Sequence, residues 1–174
     1  LWAQLAEMGL TGITVPEAFG GLGMKALDFV LLAQECGYVA LPAPLVHTAM
    51  VSVPLLASCG NTALQENWLP KIAAGEAIVV AGLAQNAFVE DAHIADLLIL
   101  EKAGALYAVA PADATLRYNE SIDLSRKLFA VEFDASKAEK IADGEQAQTL
   151  IARALNGGAL GVAAELLGLA QRMI

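Results

Sequence analysis

Few side chains in this sequence are set by local pattern to do chemistry, and each has an ordinary reading beside the functional one. The loop PEAFGGLG, Pro16 to Gly23, has the glycine density of a phosphate-binding turn. It fails both spacing tests: there is no G-x-G-x-x-G, and Lys25 is followed by Ala26 rather than by Ser or Thr. A tight turn into the next helix is the expected role. His47 stands in an apolar stretch with no acid three or four residues away, so a core imidazole hydrogen-bonded to backbone is expected rather than a base. His93 follows Glu90 and Asp91 and precedes Asp96, a local cluster that reads as a solvated turn. Cys36 and Cys59 are too few and too isolated from the histidines for a zinc site; a reduced, buried pair is expected, and no metal. No nucleophile carries an elbow motif.

Composition narrows the classes further. With 10 Lys and Arg against 19 Asp and Glu the net charge is −9, which opposes a nucleic-acid partner. The chain of 174 residues is 57% hydrophobic, so disorder is excluded; aromatics supply only 6%. From Val39 to Gln65 there is no charged side chain, long enough to span a bilayer, but Pro42, Pro44, Pro54 and scattered polar residues break it, so buried helices and no membrane span are expected. The segment Leu1 to Gly9 lacks a basic region and carries Glu7, unlike a signal peptide. A first residue of Leu1 suggests a start inside a longer chain, and a cytoplasmic setting is expected.

The elements that must position any site fall into three stretches. A helical part covers residues 1–76. Leu1, Leu5 and Met8 share one face of a helix stopped by Gly9, and Leu27, Val30, Leu31 and Tyr38 share a face of a helix over 24–39. Another helix opens after Pro42 and Pro44. Thr62 with Gln65 predicts a capping box for a short helix through Trp68, and Pro70–Glu76 reads as a turn. A strand-rich part covers 77–144, with strands expected at Ile78–Val80, Ala95–Leu100, Ala105–Ala110 and Leu128–Phe133. No helix-length segment separates them, so an antiparallel sheet or small barrel is expected. A helix fills 145–174, and Gly157, Gly158, Gly161 and Gly168 within it imply close packing on another helix. The fold class is α+β: a helical bundle, a small antiparallel β-barrel-like domain and one helix of a third unit.

Several phrases together resemble the acyl-CoA dehydrogenase family: LAEMGLTGITVPEAFGGLG at Leu5–Gly23, QECG at Gln34–Gly37, ENWLPKIAAGE at Glu66–Glu76, DAHIADLLIL at Asp91–Leu100, SIDLSRKLFAVEF at Ser121–Phe133 and ALGVAAELLGLAQRMI at the end. The resemblance implies an N-terminal helical domain, a middle β domain and a C-terminal helical domain with FAD and an acyl-CoA thioester between them. It implies α-proton abstraction by a glutamate, hydride transfer from the β-carbon to flavin N5, reoxidation by electron-transferring flavoprotein, and a homodimer or homotetramer.

Residue by residue, the resemblance places Leu83, Ala84 and Gln85 where the family has a flavin-binding Thr-Glu-Pro phrase, so Ala84 replaces the threonine hydroxyl. Phe88, Val89 and Glu90 match a later phrase beside the flavin ring, with Glu90 in place of a hydroxyl residue. A carboxylate there cannot donate a hydrogen bond when ionised. A stretch of the family pattern is skipped between Gln85 and Asn86, which suggests a join across omitted residues rather than a lost strand pair. The base and the pyrophosphate-binding arginine are expected beyond Ile174, leaving no catalytic residue here. The alternative function is a flavin-free structural subunit of a hetero-oligomeric acyl-CoA dehydrogenase, which Ala84 and Glu90 favour.

Overall fold

A computed structural model describes residues 1–174. Helix α1, Trp2–Glu7, ends as expected at Gly9, whose φ is +75°. Its expected apolar face is not the buried one: Leu5 is buried, while Leu1 and Met8 are exposed. A 3₁₀ turn, Glu17–Phe19, occupies the PEAFGGLG loop, and Gly20 and Gly23 take positive φ, so the loop is a turn.

Helix α2 runs Ala26–Tyr38 and corrects the periodicity reading. Its core face is Phe29, Ala33, Cys36 and Gly37; Leu27 and Leu31 are 77% and 72% exposed. Small residues won the inward face because a neighbouring helix comes too close for leucine. Helix α3, Leu45–Ser58, is buried along most of its length and contains a π-turn over Thr48–Ser52. The turn frees carbonyls from the helical ladder. The Thr14 hydroxyl donates to Ala49 O at 2.9 Å. Helix α4, Thr62–Ala73, corrects two expectations. Its N-cap is Asn61, whose side chain accepts from Leu64 N–H at 3.1 Å, while the Gln65 amide reaches back to Leu56 O and Ala57 O at the end of α3. It also continues through Pro70, which is exposed, so water can satisfy the carbonyl that the proline leaves without a donor.

The strands form two open sheets, not a barrel. One has the order β1 (Val79–Gly82), β3 (Leu97–Lys102), β4 (Ala105–Val109), β7 (Glu139–Ala142). The other has the order β2 (Val89–Glu90), β6 (Leu128–Phe133), β5 (Ala114–Asn119). The β1–β3 pair is parallel, against the antiparallel expectation; residues 83–96 cross over through β2 before the chain returns. All the other pairs are antiparallel. Between β1 and β2, Gln85 and Asn86 sit in a turn closed by Asn86 N–H to Leu83 O at 2.9 Å.

The four-stranded sheet is buried on both faces, which explains the unbroken LLIL run. Leu97 and Ile99 join the large core beneath the helices; Leu98 and Leu100 join a smaller core under the three-stranded sheet. Phe129, Val131 and Phe133 face that smaller core, as the alternation of β6 predicts.

Helix α5, Gly144–Met173, closes the large core. By length and composition it could cross a membrane, but its small-residue side is packed against α2 and α3 of this chain. The glycines act as expected. Gly157 lets Met50 O lie against the helix backbone, Gly161 admits Val46, and Gly37 and Gly168 bring the backbones of α2 and α5 together. Gln34 donates to Gln171 across that seam at 2.8 Å. Val162, Leu166 and Met173 of the same helix are exposed.

Candidate functional site

A cleft of about 460 Å³ opens where the α2–α3 connection, the first half of α3, strand β2, the loop before β6 and helix α5 meet. Leu41, Val46, Val51, Val162, Leu166 and Leu169 give it apolar lining. Its charged lining is Glu90 and Asp91 at β2, Asp123 and Arg126 on the loop, and Glu165 on α5. A smaller cleft of about 420 Å³ beside Trp68 brings together no comparable set of groups.

Arg126 organises the charged lining. Its Nη1 donates to both oxygens of Glu90, at 3.0 and 2.8 Å, and its Nε lies 3.9 Å from Asp123. Burial nevertheless pushes the Glu90 carboxyl up, with Arg126 pulling it down and Asp91 adding to the rise. Burial also raises Glu165, with Arg126 opposing and Glu90 reinforcing. One cation thus faces four carboxylates. At the cleft floor Cys36 is driven up to about 11 by burial and then by Glu165, so it stays a thiol near neutrality.

A carboxyl whose folded pKa lies above its unfolded value makes the fold lose stability as pH rises through that interval, because the folded state then binds the extra proton. Replacing it with an amide removes that loss. Glu165→Gln is expected to raise Tm by about 1–3 °C at pH 7 and to leave it unchanged at pH 4. Thermal unfolding at the two pH values checks this; an equal shift at both would sink it.

The residues singled out from sequence are only partly assembled. Glu90 enters the cleft, and Phe88 beside it is 38% exposed. Val89 turns into the smaller core and Leu83 into the large one. Ala84 and Gln85 are exposed at the turn, and the Ala84 N–H donates to the Glu101 carboxylate at 3.0 Å. The His93 cluster is dispersed: its ring stacks on Phe129 at 5.1 Å, while the Asp96 carboxylate accepts from Ile78 N–H at 2.8 Å. His47 is hydrogen-bonded to backbone as expected, its Nε2 accepting from Ala81 N–H at 3.0 Å, and it also lines the cleft. Arg126 and Glu165 were missed. They lie on different elements with no shared local motif, and only the fold brings them together.

The stretch Leu83–Glu90 offers a flavin few free donors. A flavin with its diphosphate is anionic and acceptor-rich, so its site needs donors. Here the Ala84 N–H is taken by Glu101 and Glu90 by Arg126, which leaves the exposed carboxamides of Gln85 and Asn86 as side-chain donors.

The family model of the acyl-CoA dehydrogenase N-terminal domain matches residues 1–76. The (2S)-methylsuccinyl-CoA dehydrogenase of Cereibacter sphaeroides is 37% identical over 79 residues, covering 44% of this chain and 14% of that protein. Acyl-CoA dehydrogenase IpdE2 of Mycobacterium tuberculosis is 32% identical over 107 residues, 61% of this chain and 32% of that one. In fold, the chain resembles the butyryl-CoA dehydrogenase of Megasphaera elsdenii with a TM-score of 0.78 at 18% identity, covering 98% of this chain and 57% of that one. The chain therefore spans a third or less of these curated relatives and little more than half of the solved structure.

Proposed function

This chain belongs to the acyl-CoA dehydrogenase family, and from that premise we propose that it serves the α,β-desaturation of an acyl-CoA thioester, with the acyl group lying in the cleft between α3 and α5. The observation that carries the proposal is a single cleft lined both by a run of apolar side chains from two helices and by a charged cluster. A hydrocarbon chain against Val46, Val51, Val162 and Leu166 gains about 0.8 kcal/mol for each methylene taken from water. Substrate length and ring structure are left open by an irregular lining of this kind.

Two readings share this cleft. In the first the protein is itself an FAD-dependent dehydrogenase, its flavin held by donors outside Leu83–Glu90, its α-proton base beyond Ile174, and its electrons passed to an electron-transferring flavoprotein. In the second it is a flavin-free subunit working beside an active subunit in a mixed oligomer. The second is favoured by the closed Glu90–Arg126 pair and by the Ala84 N–H committed to Glu101. In either reading we place the protein in the cytoplasm as a dimer or tetramer.

Purification of the full-length protein tests both. A yellow preparation that acyl-CoA bleaches carries the first reading. A colourless one that takes up no added FAD yet binds acyl-CoA carries the second. A protein that binds neither overturns the proposal.

A further inference from the structure

His47 is the one histidine in the cleft, and its hydrogen bonding leaves it a specific capacity. Strand β1 is an edge of the four-stranded sheet, so its outward N–H groups need partners from elsewhere. The Ala81 N–H finds His47 Nε2 at 3.0 Å. A ring nitrogen that accepts carries no proton, so in the neutral imidazole the proton is on Nδ1. Burial keeps the ring neutral, with its pKa down at about 4. Nδ1 has no partner within the chain, and the buried side-chain atoms left without partners are Thr48 Oγ1 and Ser52 Oγ, not this nitrogen. Nδ1–H is therefore the free donor of a ring that lines the cleft.

The other side-chain donors of the cleft sit in its charged part, away from the apolar neighbours of His47. Arg126 gives Nη1 to Glu90 and keeps Nη2 among the acids, the Ser125 hydroxyl donates to Asp123 at 2.6 Å, and the remaining charged groups are carboxylates. His47 sits between apolar neighbours on α3, Val46 and Val51, where a ligand that covers it excludes water. A donor desolvated without an acceptor is penalised; one that meets an oxygen is not.

We propose that His47 reads the acyl group: Nδ1–H donates to a ketone or hydroxyl oxygen carried along the acyl chain, so that the cleft selects oxygenated acyl thioesters over plain alkanoyl ones. The inference rests on the reading of the cleft as an acyl-thioester site.

The test is calorimetric binding of octanoyl-CoA and of its mono-oxo isomers, the ketone moved one carbon at a time, to the full-length protein. The best isomer is expected to bind at least about tenfold more tightly than octanoyl-CoA. His47→Leu is expected to bring that ratio to about one. His47→Gln is expected to keep a preference, since its carboxamide offers an oxygen to Ala81 N–H and an N–H to the ligand. A ratio near one in the wild type, or a wild-type ratio that survives in His47→Leu, overturns the inference while leaving the cleft an acyl site. Failure to bind any acyl-CoA overturns that reading itself. The wild-type ratio decides alone where the leucine variant does not fold.

Discussion

Gly168→Ala is expected to destabilise the fold by more than about 4 kcal/mol, although alanine is the better helix former by about 1 kcal/mol. The reason is the crossing of α2 and α5. A methyl carbon at Gly168 would overlap the Gln34 carbonyl oxygen and stand 2.7 Å from Tyr38 N. Both are backbone atoms of a helix, so no rotamer change can relieve the overlap. Gly37 makes the reciprocal approach from α2, against the Glu165 backbone. Overfilling a core against movable side chains typically costs about 1–3 kcal/mol; here the two helices must separate and reopen the large core that α5 closes. The loss is comparable to the whole stability of many domains, about 5–15 kcal/mol. Denaturant unfolding of Gly168→Ala and Gly37→Ala measures it. A loss below about 1 kcal/mol in either variant would show that the crossing is not tight.

This crossing also shows how much of the fold was legible in sequence and where the reading stopped. The glycines of the last helix announced a close helix contact, because glycine there costs propensity that packing must offset. They did not announce the partner. Leu27 and Leu31 drew the periodicity of α2 to an exposed side, while the close approach to α5 is made by Gly37 and by the backbone of Gln34 and Tyr38. The strands of the central sheet were legible because both faces are buried. Ala114–Asn119 and Glu139–Ala142 were not, because these edge strands carry Arg117, Asn119, Glu139 and Lys140 amid their apolar residues. For the site, Glu90 was found from a phrase, while His47 was read only as a core imidazole. The ion pair of Glu90 with Arg126, and Glu165 across from it, depends on a loop, a strand end and a helix meeting, which no local spacing encodes.

Gly158→Phe is expected to weaken acyl-CoA binding by at least about a hundredfold while leaving Tm within about 2 °C of the wild type. Gly158 lies one turn from Val162 on the stretch of α5 that lines the cleft, and its surroundings contrast with those of Gly168. A Cβ at Gly158 meets one atom within 4 Å, Val51 Cγ2 at 3.3 Å. That atom belongs to a side chain, so the neighbour can shift by a few tenths of an ångström. No backbone stands in the way. A benzyl group would enter the space proposed for the acyl chain and fill part of its volume of about 460 Å³. It would also exclude three or four methylenes, each worth about 0.8 kcal/mol, which together account for the hundredfold. Gly158→Ala separates the two effects, because a methyl group is too small to displace a chain: binding should change by less than about threefold, and the gain in helix propensity should keep stability level or raise it by up to about 1 kcal/mol. Calorimetric titration with acyl-CoA and thermal unfolding of both variants supply the two measurements. Undiminished affinity in a folded Gly158→Phe would place the acyl group outside this cleft.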